Sequence, residues 1–148
     1  MDTLIANVTA VTMNSKMEVL FGAYIGIEGG KIVSVSRQAP KEPPQTVIDG
    51  TGMVAMPGLV NCHTHLASSV LRSYTDNLGN AQALEELLKK EAKMDSRCAR
   101  AAALLSIAEC LRFGVTSVSD MYNFCDEIAE AVAESGINLQ ITRRLYEI

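Results

Sequence analysis

The stretch Met56-Pro57-Gly58-Leu59-Val60-Asn61-Cys62-His63-Thr64-His65 decides how this chain is read. A Pro-Gly step introduces a short apolar run that ends in two histidines, His63 and His65. In a strand, residues i and i+2 project from the same face, so the two imidazoles aim at one point. Thr64 faces away, and Cys62, also on the opposite side, is expected in the core. Two neutral imidazoles converging at the end of a strand make half of a metal site. As a bare pattern His-x-His is weak, because surface or packing histidines produce it too. Its position after a buried run strengthens it, since ligands and catalytic groups collect at the C-terminal ends of strands in a βα barrel. The chain has no other histidine.

Downstream, Asn80 is expected to cap a helix carrying Leu84, Leu87 and Leu88 at helical spacing. Ser96 is expected to cap a second one with Leu104, Ile107, Ala108 and Leu111, closed by Gly114. Residues 115–120 are strand-like, 126–135 helical up to Gly136, and 137–142 form the next strand. Strands and helices alternating across short glycine-marked joints are the signature of parallel βαβ units. Upstream, residues 3–13 and 23–36 alternate and are rich in Ile, Val and Thr, with Gly29-Gly30 as a tight hairpin turn. Pro40, Pro43 and Pro44 mark an exposed loop, residues 46–48 a short strand, and Asp49-Gly50-Thr51-Gly52 a turn. The first 50 or so residues therefore read as a small β unit.

Composition narrows the function classes. With 48% hydrophobic and 20% charged residues in 148, the chain has the balance of a globular domain. A net charge of −4 and scattered Lys and Arg offer no basic surface, so nucleic acid is not an expected partner. No apolar run reaches the roughly 20 residues that a membrane span needs, and Asp2 stands where a signal peptide carries positive charge. A cytoplasmic protein is expected, without membrane contact. Cys62, Cys98, Cys110 and Cys125 show no CxxC spacing and are expected to be reduced.

Further polar residues fall near the same rim as the histidines. If 59–65 is the first barrel strand, the second ends at Asp120-Met121-Tyr122 and the third at Arg143. Each has an ordinary structural alternative: Asp120 capping the following loop, Tyr122 covering the barrel edge, Arg143 pairing with Glu147. Glu91, within Lys89-Lys90-Glu91-Ala92-Lys93, reads from spacing alone as a solvated face with a surface ion pair.

Asp49-Gly50-Thr51-Gly52 together with residues 56–65 resembles the amidohydrolase superfamily, whose members place a small β-sandwich before a metal-binding barrel. Leu71-Arg72-Ser73-Tyr74-Thr75-Asp76-Asn77-Leu78, Ala108-Glu109-Cys110-Leu111-Arg112-Phe113-Gly114-Val115-Thr116 and Asp120-Met121-Tyr122 are similar to the branch of S-adenosylhomocysteine and methylthioadenosine deaminases. Guanine deaminases and triazine chlorohydrolases share much of this pattern. The resemblance implies an α/β fold, with a β-sandwich portion over 1–55 and the first βα units of a TIM-type barrel, about three strands, over 56–148.

The same resemblance implies His63 and His65 as the first two metal ligands. It implies that Glu91, after a one-residue deletion in the preceding helix, holds the ribose hydroxyls, and that Arg143 belongs to the substrate pocket. A tryptophan common in that helix is absent, Ala83-Leu84-Glu85-Glu86-Leu87 standing there instead. The implied cofactor is one divalent metal, zinc first, with iron, manganese or nickel also compatible with imidazole. Such a metal lowers the pKa of bound water toward about 7, giving hydroxide that attacks an aromatic carbon bearing an amino group. The glutamate proton shuttle, carboxylate ligand and further histidine that this chemistry needs lie on later strands in the family. No catalytic residue is therefore expected within this chain.

A complete barrel takes about 250 residues, which the stretch from Met56 does not supply. Three strands are expected to leave an open edge and an apolar inner face, covered by self-association or by a C-terminal part. The expected function is the N-terminal part of an aminohydrolase for an adenine nucleoside such as S-adenosylhomocysteine, methylthioadenosine or adenosine, inactive as the isolated chain. A guanine deaminase, a chlorohydrolase-like hydrolase and a non-catalytic binding or assembly module remain the alternatives.

Overall fold

The computed structural model describes residues 1–143, and the chain divides into two compact units, Met1–Pro57 and Gly58–Ile148. The first is a five-stranded sheet of β1 (Thr3–Val11), β2 (Val19–Glu28), β3 (Lys31–Ser36), β4 (Thr46–Asp49) and β5 (Val54–Ala55). Its order is β3-β2-β1-β4, with β5 also on β1; β2 and β3 run antiparallel, while β4 and β5 run parallel to β1. Alternation along β1 buries Leu4, Ala6, Val8 and Ala10, and Val8, Ala10, Ala23 and Ile25 form the core of this unit. The β2–β3 hairpin turns at Gly29 and Gly30, whose φ of 56° and 74° is the left-handed region that glycine enters without Cβ strain. The first strand ends at Val11, short of the expected Met13, which has a positive φ of 50°.

The second unit carries a parallel sheet of three strands in the order β6 (Leu59–Thr64), β7 (Val115–Tyr122), β8 (Asn138–Arg143). Between β6 and β7 lie a 3₁₀ helix (Leu66–Leu71), α1 (Asn80–Glu91) and α2 (Ser96–Arg112); α3 (Cys125–Ser135) joins β7 to β8. One core unites Leu66 and Ala67 of the 3₁₀ helix, Ala99, Ala103 and Ile107 of α2, Val118 and Tyr122 of β7, Ile128 and Ala131 of α3, and Ile137. Alanines on α2 and α3 let their backbones approach closely, and the buried branched residues fill the remaining space. Tyr122 therefore belongs to the core at 7% exposure and does not merely cover an edge.

Helix starts depart from expectation by one residue in each case. The N-cap of α1 is Gly79, with Asn80 already helical, and that of α2 is Asp95, whose carboxylate accepts the Cys98 backbone N–H at 2.7 Å. A carboxylate reaches the N3 amide from the N-cap position, so Asp95 outcompetes Ser96 for the role. The helix ends follow the reading: Gly114 lies just beyond the C-cap of α2 at φ 80°, and Gly136 is the C-cap of α3 at φ 75°.

Cys62 is exposed, contrary to its expected place in the core. Between Asn61, paired with Val118, and Thr64, paired with Asp120, the register shifts, so Cys62 and His63 together oppose Ser119. By strand alternation Cys62 shares the face of Val60, the sheet face that the helices do not cover, where both line a shallow depression with Ser117, Ser119, Asn138 and Gln140. That face is consequently mixed rather than apolar, with small polar side chains from β7 and β8 alternating with the core-facing Val118 and Leu139.

The Pro57-Gly58 step has a packing reason. A Cβ on Gly58 would stand 2.0 Å from Thr116 Oγ1, 2.5 Å from its Cγ2 and 2.7 Å from its Cβ. Because the Thr116 Cβ is itself in the way, side-chain rotation cannot relieve the overlap. Gly58→Ala is expected to cost about 1–3 kcal/mol of stability by overpacking. Urea denaturation checks it, and Thr116→Ala in the same chain should recover part of the loss.

Candidate metal and substrate site

His63 lies in the bulge near the end of β6, and His65 sits at the break where the strand ends and the 3₁₀ helix starts, with φ −132° and ψ 75°. Their rings come together at 5.1 Å between centroids, at 75° to one another. Strand alternation alone does not bring this about, because β6 stops at Thr64 and the register slips beside it. The His65 ring also lies 5.8 Å from Tyr122, and its Nδ1 is 2.6 Å from the Met121 carbonyl oxygen. A carbonyl can only accept, so Nδ1 carries the proton and Nε2 keeps its lone pair for another partner.

Beneath His65, Asp120 is 1% exposed. Its Oδ1 accepts the Thr64 hydroxyl at 2.8 Å and the Leu66 backbone N–H at 2.7 Å, while its Oδ2 has no hydrogen-bond partner among the described residues. Burial pushes the Asp120 carboxyl above its ordinary range, opposed chiefly by the Leu66 and Thr64 hydrogen bonds. The alternative of Asp120 capping the loop that follows it is thereby corrected: it holds the segment around His65, on the neighbouring strand. A sequence signal did exist, because the polar ends of adjacent parallel strands meet, and Thr64 pairs with Asp120 in register. The Met121 contact uses a backbone oxygen and left no such trace.

In front of His65 opens a cleft of about 480 Å³ lined by Ser68, Leu71, Arg72, Ser73, Thr75, Leu84, Leu87, Leu88 and Glu91, with Met121 and Tyr122 behind. The apolar stripe of α1 thus forms a wall of the cleft; no residue of that helix is buried. Glu91 is half-buried and, among the described residues, has no ion pair or side-chain hydrogen bond. Lys89 instead pairs with Glu85 at 2.7 Å and Glu86 at 2.9 Å, and Lys90 lies 4.9 Å over the Tyr74 ring. The expected surface pairing of Glu91 is therefore taken up elsewhere on the helix. Arg72 is already committed, in a two-pronged pair with Glu109 at 3.0 and 2.5 Å that holds the Glu109 carboxyl below its usual range.

Arg143 stands apart from this cleft. It donates to Asp126 Oδ1 at 2.8 Å and lines a separate depression with Tyr122, Asn123, Phe124, Cys125 and Glu127. The suggested pairing with Glu147 lies outside the described residues. Among the described residues no group of three or more His, Cys, Asp or Glu could hold a metal ion. The paired imidazoles, one with its tautomer set, fit two positions of a metal's coordination shell and no more. No described helix is long and apolar enough to cross a membrane, and all four cysteines are free.

Comparison with known proteins agrees with this architecture. The profile described as the amidohydrolase family matches residues 54–146. A 5'-deoxyadenosine deaminase of Methanosarcina mazei is 38% identical over 99% of this chain and 34% of its own length. A 5-methylthioadenosine/S-adenosylhomocysteine deaminase of Thermoanaerobacter pseudethanolicus is 36% identical over the same shares. Among solved structures, an adenosine deaminase of Xanthomonas campestris with bound zinc matches at TM-score 0.85 and 29% identity, over 93% of this chain and 33% of that one. An atrazine chlorohydrolase of Arthrobacter aurescens complexed with zinc matches at TM-score 0.85 and 28% identity, over 95% and 35%. The chain spans about a third of the length of the curated relatives it matches.

Proposed function

The chain belongs to the amidohydrolase family, and from that premise we propose that it is the N-terminal part of a cytoplasmic, metal-dependent aminohydrolase acting on an adenine nucleoside. Its first unit is read as a β-sandwich portion, and its second as the opening βα units of a TIM-type barrel. The observation that carries the functional reading is the ring pair His63 and His65, of which His65 lines a cleft together with the uncommitted carboxylate of Glu91. When bound, a divalent metal supplies a hydroxide nucleophile at neutral pH. The imidazoles of His63 and His65 would be two of its ligands, zinc being the metal found in the similar solved structures.

The residues of this chain then have separable tasks. The Met121 carbonyl keeps the proton on Nδ1 of His65. Leu84, Leu87 and Leu88 exclude water from one side of the cleft, which suits an adenine ring or an apolar 5' substituent. Glu91 would accept hydrogen bonds from vicinal ribose hydroxyls. Arg143, paired with Asp126 outside the cleft, would need to leave that exposed partner to reach substrate. The general acid–base group and remaining ligands come from outside this chain, so 148 residues alone give no turnover.

The test is metal content together with deamination of 5'-deoxyadenosine, methylthioadenosine, S-adenosylhomocysteine, adenosine and guanine, and dechlorination of a triazine, by the complete enzyme. Zinc with release of ammonia from the adenine nucleosides supports the reading. Turnover confined to guanine or the triazine overturns the substrate class, and a metal-free protein inert to all six overturns the enzyme. The chlorohydrolase reading is included because those structures superpose as well as the deaminase does. Glu91→Gln in the complete enzyme should raise KM for nucleosides about 10–100-fold, the loss of charged hydrogen bonds to the sugar, with a smaller change in kcat.

A further inference from the structure

His65 lies where regular structure gives it no support, since β6 has ended and the 3₁₀ helix has not begun. Both neighbours, however, converge on a single buried atom. Thr64 on one side and Leu66 on the other donate to Oδ1 of Asp120, by hydroxyl and by backbone N–H respectively. The next residue along β7, Met121, receives Nδ1 of the His65 ring. Two consecutive residues of β7 thus hold the two neighbours and the imidazole of a residue just beyond the end of β6.

Resting on the reading of His65 as a metal ligand, we propose that Asp120 is its positioning residue. By fastening Thr64 and Leu66 to the end of β7, it sets the His65 Cα where the Met121 carbonyl can hold the ring as the Nδ1–H tautomer, Nε2 facing the cation. Asp120 is not assigned as a ligand, because among the described residues it forms no group of three potential ligands with the histidines, and its Oδ1 is engaged by Thr64 and Leu66. A plain capping role for the 3₁₀ helix would use the Leu66 bond alone. It would explain neither the Thr64 bond nor the alignment of Met121.

This 148-residue stretch has only two histidines, so ¹⁵N-histidine labelling confined to it reports them without crowding in the complete enzyme, where Zn²⁺ binding is also read. In metal-free protein, His65 is expected as the Nδ1–H tautomer, with His63 as internal reference. Asp120→Ala should give His65 mixed tautomers and weaken Zn²⁺ binding about 10–100-fold, the usual effect of losing a partner that orients a ligand. Asp120→Asn keeps an oxygen acceptor for both donors and should retain the tautomer and most of the affinity. An Asp120→Ala chain with unchanged tautomer and affinity overturns the proposal, as does an Asp120→Asn chain as impaired as the alanine one.

If Asp120→Ala fails to fold by far-ultraviolet circular dichroism, Thr64→Val decides. It removes the Thr64 hydroxyl, which lies 2.8 Å from Asp120 Oδ1 and 3.1 Å from the Ser119 carbonyl oxygen, at nearly constant volume; a tautomer change smaller than that expected of Asp120→Ala supports the role and no change overturns it. Should His65 in the complete enzyme ignore Zn²⁺ while its tautomer still depends on Asp120, the metal reading fails and the positioning role stands.

Discussion

Replacing His65 by alanine is expected to remove bound zinc and turnover together in the complete enzyme, with the fold retained. The half-exposed ring contributes little packing: its contacts are the edge of His63, the face of Tyr122 and the Met121 carbonyl. Its loss therefore acts on chemistry. On the proposed reading a bound metal would make hydroxide available near pH 7, a task that neither Asp120, buried with Oδ1 engaged, nor Glu91, on the cleft wall, could take over. Elemental analysis and ammonia release check both arms. Unsubstituted enzyme stripped by a chelator should regain activity on re-addition of zinc, whereas His65→Ala should not. Full zinc occupancy in His65→Ala would show that the ligands lie elsewhere.

Ile107→Ala is expected to produce the largest loss of stability, about 2–5 kcal/mol, because the side chain is 1% exposed at the centre of the second unit. It packs within a cluster shared by both central helices and β7, so the cavity left behind cannot close without moving several elements. The equivalent truncation on α1, Leu88→Ala, should cost far less stability, since Leu88 is 46% exposed and lines the cleft. Its effect should fall on substrate affinity instead. Urea denaturation of both variants, with KM for the second in the complete enzyme, separates the roles. A Leu88→Ala loss as large as that of Ile107→Ala would mean that α1 belongs to the core.

These two leucine- and isoleucine-bearing helices show how far the linear pattern reaches. Helical spacing predicts α1 and α2 alike, and both exist, but periodicity reports only that a helix has an apolar side. Leu84, Leu87 and Leu88 turn that side to a cleft, while Ile107 turns its own to a core; the difference depends on which elements pack against each helix. The same holds for the caps. Asp95 and Ser96 are both good N-cap residues, and the choice between them is made by one hydrogen bond to Cys98.

The sequence by itself determined the order of the longer strands and helices, the glycine turns and the family, because these rest on local backbone preferences and on contiguous motifs such as residues 56–65, while β5 and the 3₁₀ helix left no such pattern. It also identified the two histidines by type and spacing. Only the tertiary structure decided that the strand face carrying Cys62 is left uncovered, that Arg143 lies outside the cleft, and that Asp120 grips the residues on either side of His65. Such contacts join positions about 55 residues apart through parallel pairing, and the register of that pairing is set by packing across the whole sheet.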